Sequence, residues 1–380
     1  MNLKSGGVLI WISLCNLCVL CVSVVIYTCK FVNHKTQRTQ RLHREEPQTK
    51  TVPEIESQVL IIRFATFCAF LWLMNDILRA MKILVSGSHG LVGKALTRSL
   101  TDDGHEVVRL VRGEHSFGMP EIGWQPDHGR IDAEHLEGLD AVVHLAGENI
   151  ASGRWTTEKK RAIRDSRVNG TLLLSESLAR LSRPPSVFLS ASAIGYYGDR
   201  GDELLTEESP PGKGFLPDVC INWEQATAPA VEKGIRTVYT RFGIILDANE
   251  GALAKMLTPF RMGIGGRIGD GRQWMSWITL ADVVDALRYL IEDTSTRGPV
   301  NFVSPNPVTN AEFTKTLGRV LSRPTLFPVP AFGARLAFGE MADALLLSSQ
   351  KVEPSVLADR GFPFTWPTLE PALRHILRSG

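Results

Sequence analysis

Gly87, Gly90 and Gly93 stand three residues apart in GSHGLVG, residues 87–93. Ahead of them runs Lys82–Ser86 (KILVS), a short strand-like stretch, and behind them Leu91–Leu100 carries apolar residues at helical spacing. Strand, glycine turn and helix in that order suit a nucleotide diphosphate. The first glycine permits a tight turn, the second lets backbone N–H groups approach the phosphates, and the third lets the helix pack against the strand. The helix N-terminus adds partial positive charge, so Ser88, His89 and Leu91 join the three glycines as expected phosphate-binding residues.

The next strand, Glu106–Val111, runs into Arg112. A chain that selects NAD usually ends this strand in Asp or Glu, which holds the ribose hydroxyls. A guanidinium instead matches a 2′-phosphate through paired, charge-assisted bonds, which favours NADP over NAD. Ala141–Ala146 (AVVHLA) followed by Gly147 should bring Leu145, Ala146 and Gly147 to the same edge, beside the cofactor ribose. His144 has no partner cluster in sequence and reads as a packed core histidine. The stretch SVFLSAS, ending at Ser192, is a strand that finishes in hydroxyls.

The elements that must position these residues follow. Strands are expected near Ile122–Gln125, over Arg236–Leu246 and over Gly298–Val303. Helices are expected over Lys159–Leu181, over Asp282–Glu292 with Asp282 as its cap, and from Asn310 to Leu321 behind a Thr309/Glu312 capping box. Strands alternating with helices predict an α/β fold with a right-handed, doubly wound parallel sheet. Pro324, Pro328 and Pro330 then set off a small helical C-terminal domain, with helices at Ala331–Leu347 and Leu369–Leu377.

The chain has 380 residues, 44% hydrophobic and 22% charged, with a net charge of +2. That balance is globular and argues against a dedicated nucleic-acid binder. Cys15, Cys18, Cys21, Cys29 and Cys68 precede Met81, and Cys220 alone follows it, so the body can close no internal disulfide. Cys15, Cys18 and Cys21 lie in an apolar run without His or carboxylate, and no metal site is expected. Residues 5–29 carry no charge, and 8–28 are long enough for a transmembrane helix. Lys30, Lys35, Arg38, Arg41, Arg44 and Lys50 follow, which would leave the body in the cytoplasm. A second reading stays open, in which translation starts at Met81 and residues 1–80 are not made.

GSHGLVG at 87–93, HLAG at 144–147, SASAIGYYG at 190–198, RFGIIL at 241–246 and GRQWMSWITLADVVDAL at 271–287 together resemble an extended short-chain dehydrogenase/reductase. The resemblance covers residues 81–380. It is nearest to the epimerase-like group often labelled nucleoside-diphosphate sugar epimerase or cell division inhibitor, whose members end in a domain of unknown function. It implies a Rossmann-type fold, with a cofactor domain over 81–305 and the C-terminal domain over 325–378. It also implies that Arg241 lies at the cofactor. Ser192 matches the Ser or Thr that hydrogen-bonds the substrate carbonyl or alcohol. The usual Tyr and Lys, four residues apart, are here Cys220 and Glu224, in DVCINWE. A carboxylate opposes a neighbouring anion where a lysine would favour it. A replacement acid is therefore expected from Tyr196 or Tyr197, or less readily from Cys220 as a thiol acid or Glu224 as a carboxyl base.

In such reductases the segment matching Pro259–Gly271 (PFRMGIGGRIGDG) covers the substrate. Glycines with Arg261 and Arg267, followed by Gln273, suit a flexible lid over an anionic ligand such as a sugar nucleotide. The favoured expectation is an NADP-dependent oxidoreductase or epimerase-like protein acting on an alcohol or carbonyl. The alternative is an NADP(H)-binding regulatory protein without catalysis, linked to cell division or the envelope.

Overall fold

The computed structural model describes residues 80–112 and 120–379. They belong to one unit, Arg79–Gly380. The anchor expected over 8–28 lies outside the described residues, among which no helix is long and apolar enough to cross a membrane.

Eight strands form the central sheet: β1 (Lys82–Ser86), β2 (Glu106–Arg112), β3 (Glu121–Gln125), β4 (Arg130–Ile131), β5 (Ala141–His144), β6 (Val187–Ala193), β7 (Arg236–Phe242) and β8 (Gly298–Phe302). Their spatial order is β8-β7-β6-β5-β1-β2-β3-β4. Every pairing is parallel except the short β3–β4 step. The order turns back at β1, which places the glycine turn at the switch point where open α/β sheets bind ligands.

Both faces of the sheet are covered, and the middle strands β1 (ILV at 83–85) and β5 (AVV at 141–143) are accordingly apolar in unbroken runs rather than alternating. Ile83 and Val85 pack with Leu96 and Leu100 of α1 (Leu91–Asp102) on one face. Leu84, Val142 and Phe188 pack on the other face with Leu174 and Leu178 of α2 (Thr157–Ala179). The remaining helices used below are α3 (Phe215–Gln225), α4 (Gly251–Arg261), α5 (Leu280–Glu292), α6 (Asn310–Leu321), α7 (Ala331–Phe338) and α8 (Leu369–Ser379).

Three expectations change. The strand expected over Arg236–Leu246 breaks at Gly243, and Ile244–Leu246 pairs instead with Trp277–Thr279. The chain squeezes through here: a Cβ at Gly243 would stand 2.6 Å from Ser276 O and 2.6 Å from Val303 Cγ1. The helix expected over Ala331–Leu347 stops at Phe338, because Gly339 turns left-handed at φ +63° before a π-helical turn at Ala342–Leu347. Asp282 does not cap its helix. Thr279 does, accepting from Asp282 N at 3.0 Å, while the buried Asp282 carboxylate accepts from Thr365 N (2.8 Å) and Trp366 N (3.2 Å) of the C-terminal segment. The Thr309/Glu312 capping box forms as expected.

His144, at the end of β5, is fully buried. Ser86 Oγ accepts from Leu145 N (3.0 Å) and Ala146 N (3.2 Å), so its hydrogen points to His144 Nδ1 at 2.6 Å. The imidazole is thus neutral with its proton on Nε2, and burial lowers its pKa from 6.5 to about 4. Between those values the unfolded chain binds a proton that the folded chain refuses. The stabilisation due to a neutral His144 is therefore complete above pH 6.5 and declines by about 3 kcal/mol as the pH falls to about 4. Urea unfolding across this window should show a shallower loss of stability for His144→Leu than for the native chain.

Candidate functional site

Gly87 adopts φ +66°, and a Cβ there would stand 2.8 Å from Leu145 C. A Cβ at Gly93 would stand 2.2 Å from Gly87 O. No other residue fits either position without moving backbone. Gly90 caps α1 with no side-chain bond, so the helix's first amides face outward. Ser88 is buried, yet its hydroxyl has no partner among the described residues. A buried donor left unpaired costs about 1–3 kcal/mol, so it points to an absent acceptor. An open helix end, a backbone cradle free of side chains and an orphaned hydroxyl together fit a diphosphate. His89 and Gly90 are exposed at the same turn, and Leu91 is half-buried beside it.

Arg112, at the carboxyl end of β2, is exposed, with its guanidinium 6.0 Å from the Trp124 ring centre. Ser86 pairs with Leu110 in register, so Arg112 lies two residues further along, beside the glycine turn. Leu145 and Ala146 abut that turn on its other side. Gly147 follows, held by α2: Ser166 Oγ accepts from Glu148 N (3.0 Å), and Arg167 Nη1 donates to Glu148 O (3.0 Å).

The residues expected to do chemistry meet at the end of β6, in an arrangement the sequence did not announce. Ser192 and Arg241 are neighbours across β6 and β7. Arg241 grips Glu224 with both arms, Nε to Oε1 and Nη2 to Oε2, each at 2.8 Å. The two side chains are 3% and 11% exposed, so the pair is nearly dry. Ser192 Oγ donates to Glu224 Oε1 at 2.7 Å. Arg241 Nη1 also donates to Tyr197 Oη at 3.0 Å, and Tyr197 donates to Asn301 Oδ1 at 2.7 Å. Asn301 N donates in turn to Glu207 Oε1 at 2.9 Å.

This network corrects several expectations. Arg241 is committed to Glu224, under the Tyr196 ring at 3.6 Å, rather than reaching for the cofactor. Tyr197 is fully buried and does not turn into the cleft; burial raises its pKa to about 12, so it stays a donor. Cys220 is also buried, and desolvation, with the nearby Glu224 charge, raises its thiol to about 12. A buried thiol this weak gives up its proton poorly, which does not suit a general acid. Ser192 is buried and directs its hydrogen to Glu224. Tyr196 remains, half-buried. Asn301 and Glu207 were missed, although a polar Asn within the apolar strand GPVNFV was a signal.

The glycine-rich segment is pinned rather than loose. Ile268 pairs with Val329, Gly269 N donates to Val329 O, and Val329 N donates to Arg267 O. A Cβ at Gly266 would stand 1.8 Å from Phe327 O, so this glycine serves close approach. Arg261 and Arg267 are exposed. Gln273 is buried and gives its amide hydrogens to Ile268 O (3.1 Å) and Leu346 O (2.9 Å), which removes it from substrate contact.

A model described as the NAD dependent epimerase/dehydratase family matches residues 83–302. The chain belongs to that family. In this family member a domain of unknown function, DUF1731, also matches residues 329–376. An epimerase family protein of Mycobacterium bovis is 43% identical over 291 residues, which are 77% of this chain and 96% of that one. The crystal structure of human epimerase family protein SDR39U1 (isoform 2) with NADPH aligns at 33% identity and TM-score 0.73, covering 78% of this chain and 99% of that chain. A nucleoside-diphosphate sugar epimerase from Corynebacterium glutamicum aligns at 38% identity and TM-score 0.66, covering 82% and 61%.

Removing either member of a buried ion pair strands the other charge, at a cost of about 3–5 kcal/mol. Thermal or urea unfolding of Arg241→Ala should show a loss of that size. The double variant Arg241→Met with Glu224→Met should be more stable than either single substitution.

Proposed function

We propose that this family member binds NADP(H) and transfers hydride to or from an alcohol or carbonyl substrate. The carrying observation is the orphaned Ser88 hydroxyl inside a cradle of three glycines. The backbone of 87–93 and Ser88 Oγ would hold the diphosphate, and Arg112 would pair with the 2′-phosphate. Leu145, Ala146 and Gly147 would flank the ribose. Bound, the cofactor supplies a hydride donor or acceptor at C4 of its nicotinamide. The human relative crystallised with NADPH supports the choice of cofactor.

Around the substrate, Ser192 would accept from the hydroxyl of an alcohol, since its own hydrogen belongs to Glu224; a carbonyl oxygen would need its hydrogen bond from Tyr196. Tyr196, steadied over Arg241, would supply or take the proton. Arg261 and Arg267 would meet an anionic substrate such as a sugar nucleotide. We read 81–305 as the cofactor domain and 325–378 as the C-terminal domain. A second reading, cofactor binding without turnover, draws on the Glu224–Arg241 pair, which occupies the place of the usual lysine.

Titration followed by NADPH fluorescence should show tighter binding of NADPH than of NADH. Losing the paired bonds of Arg112→Ala should cost about tenfold or more in NADPH affinity and little for NADH. Equal affinities in the native chain would overturn the NADP assignment. A screen of carbonyl compounds and sugar nucleotides separates the two readings: turnover supports the oxidoreductase, and binding without turnover on any class supports the second.

A further inference from the structure

Sheet order dictates which way a dinucleotide must lie. Arg112 ends β2, the glycine turn follows β1, and β5 and β6 come next on the other side. With the 2′-phosphate at Arg112 and the diphosphate at the turn, the nicotinamide half runs over the ends of β5 and β6, from Gly147 toward Ser192. A lysine is expected there from the family resemblance, but its position holds Glu224, already closed off by Arg241 and Ser192.

A second guanidinium stands in this wall. Arg167 projects from α2 within the stripe that buries Ile163, Gly170, Thr171 and Leu174. Its Cζ lies 3.2 Å from where a Cβ at Gly147 would stand, and 4.9 Å from the Trp223 ring centre. Its hydrogen bonds, to Glu148 O (3.0 Å) and Ile163 O (3.1 Å), both leave from Nη1. Nε and Nη2 have no hydrogen-bond partner among the described residues, and no carboxylate oxygen there lies within 4.0 Å of the group. Burial works against its charge, while the neighbouring Glu148 carboxylate favours it. Arg167 is half-buried, and its spare N–H groups, with no carboxylate in contact, can take an acceptor from outside the described residues. Gly147 matters for the same reason, since any side chain there would press on the guanidinium.

We propose that Arg167 hydrogen-bonds the nicotinamide-side ribose hydroxyls of NADP(H), in place of the lysine that this chain lacks. The proposal rests on the NADP(H) reading above and goes beyond it, because it assigns a residue to the far half of the cofactor. Arg112 and Arg167 then grip opposite ends of one molecule.

The test uses two ligands and calorimetry on the full chain. NADPH carries both halves, whereas adenosine 2′,5′-bisphosphate carries only the Arg112 end. Arg167→Ala should weaken NADPH about tenfold, the scale of a lost bond to a charged group, and leave the bisphosphate within about twofold. Arg112→Ala should weaken both ligands. Arg167→Lys, which keeps the charge and most of the stem, should fall between Arg167→Ala and the native chain for NADPH. If Arg167→Ala leaves NADPH affinity unchanged, or weakens both ligands equally, the assignment of Arg167 is wrong while the NADP(H) reading stands. If the native chain binds neither ligand, the NADP(H) reading fails and this assignment with it.

Discussion

At Gly87 the turn after β1, the start of α1 and the end of β5 meet with no room for a side chain. Gly93 brings the helix onto the turn, and Gly87 brings the turn onto Leu145. Ser86 fastens the same junction from inside, since one hydroxyl accepts from Leu145 and Ala146 and donates to His144. Removing the imidazole would leave that hydroxyl's hydrogen without an acceptor, and so loosen the edge on which the cradle rests. A buried, neutral histidine thus helps set the backbone geometry of the glycine turn's edge.

The part of the site legible in the sequence is the part made by local spacing. Three glycines between a strand and a helix specify a turn whatever the rest of the chain does, and Arg112 follows from where the next strand ends. The Glu224–Arg241 pair was not legible, because its members lie on a helix and a strand that meet only once the sheet has placed β6 beside β7. Arg241 was therefore read as a cofactor residue and Tyr197 as an acid, when each satisfies the other in the interior. Gly266 misled for a different reason. A glycine signals either freedom or close approach, and which one holds depends on the partner chain segment, which spacing does not reveal. Arg167 had a faint signature, a cation in the apolar stripe of α2 at helical spacing from Ile163 and Thr171.

The replaced lysine can be restated as a problem of charge. A lone carboxylate at position 224 would push any developing anion away from the cleft, and its own burial would be costly. Arg241 removes both difficulties by neutralising it with two bonds, and Ser192 satisfies a remaining lone pair. The neutral pair then contributes shape more than field. Arg167 makes no ion pair among the described residues and adds a positive charge beside Gly147 and Trp223. That charge stands on the helix that carries Gly170 rather than on the helix that carries Cys220 and Glu224. A cation placed there favours holding the cofactor over lowering the pKa of an acid. On the reading proposed above, the proton for a carbonyl reduction would come from the half-buried Tyr196 rather than from the buried Tyr197 or Cys220.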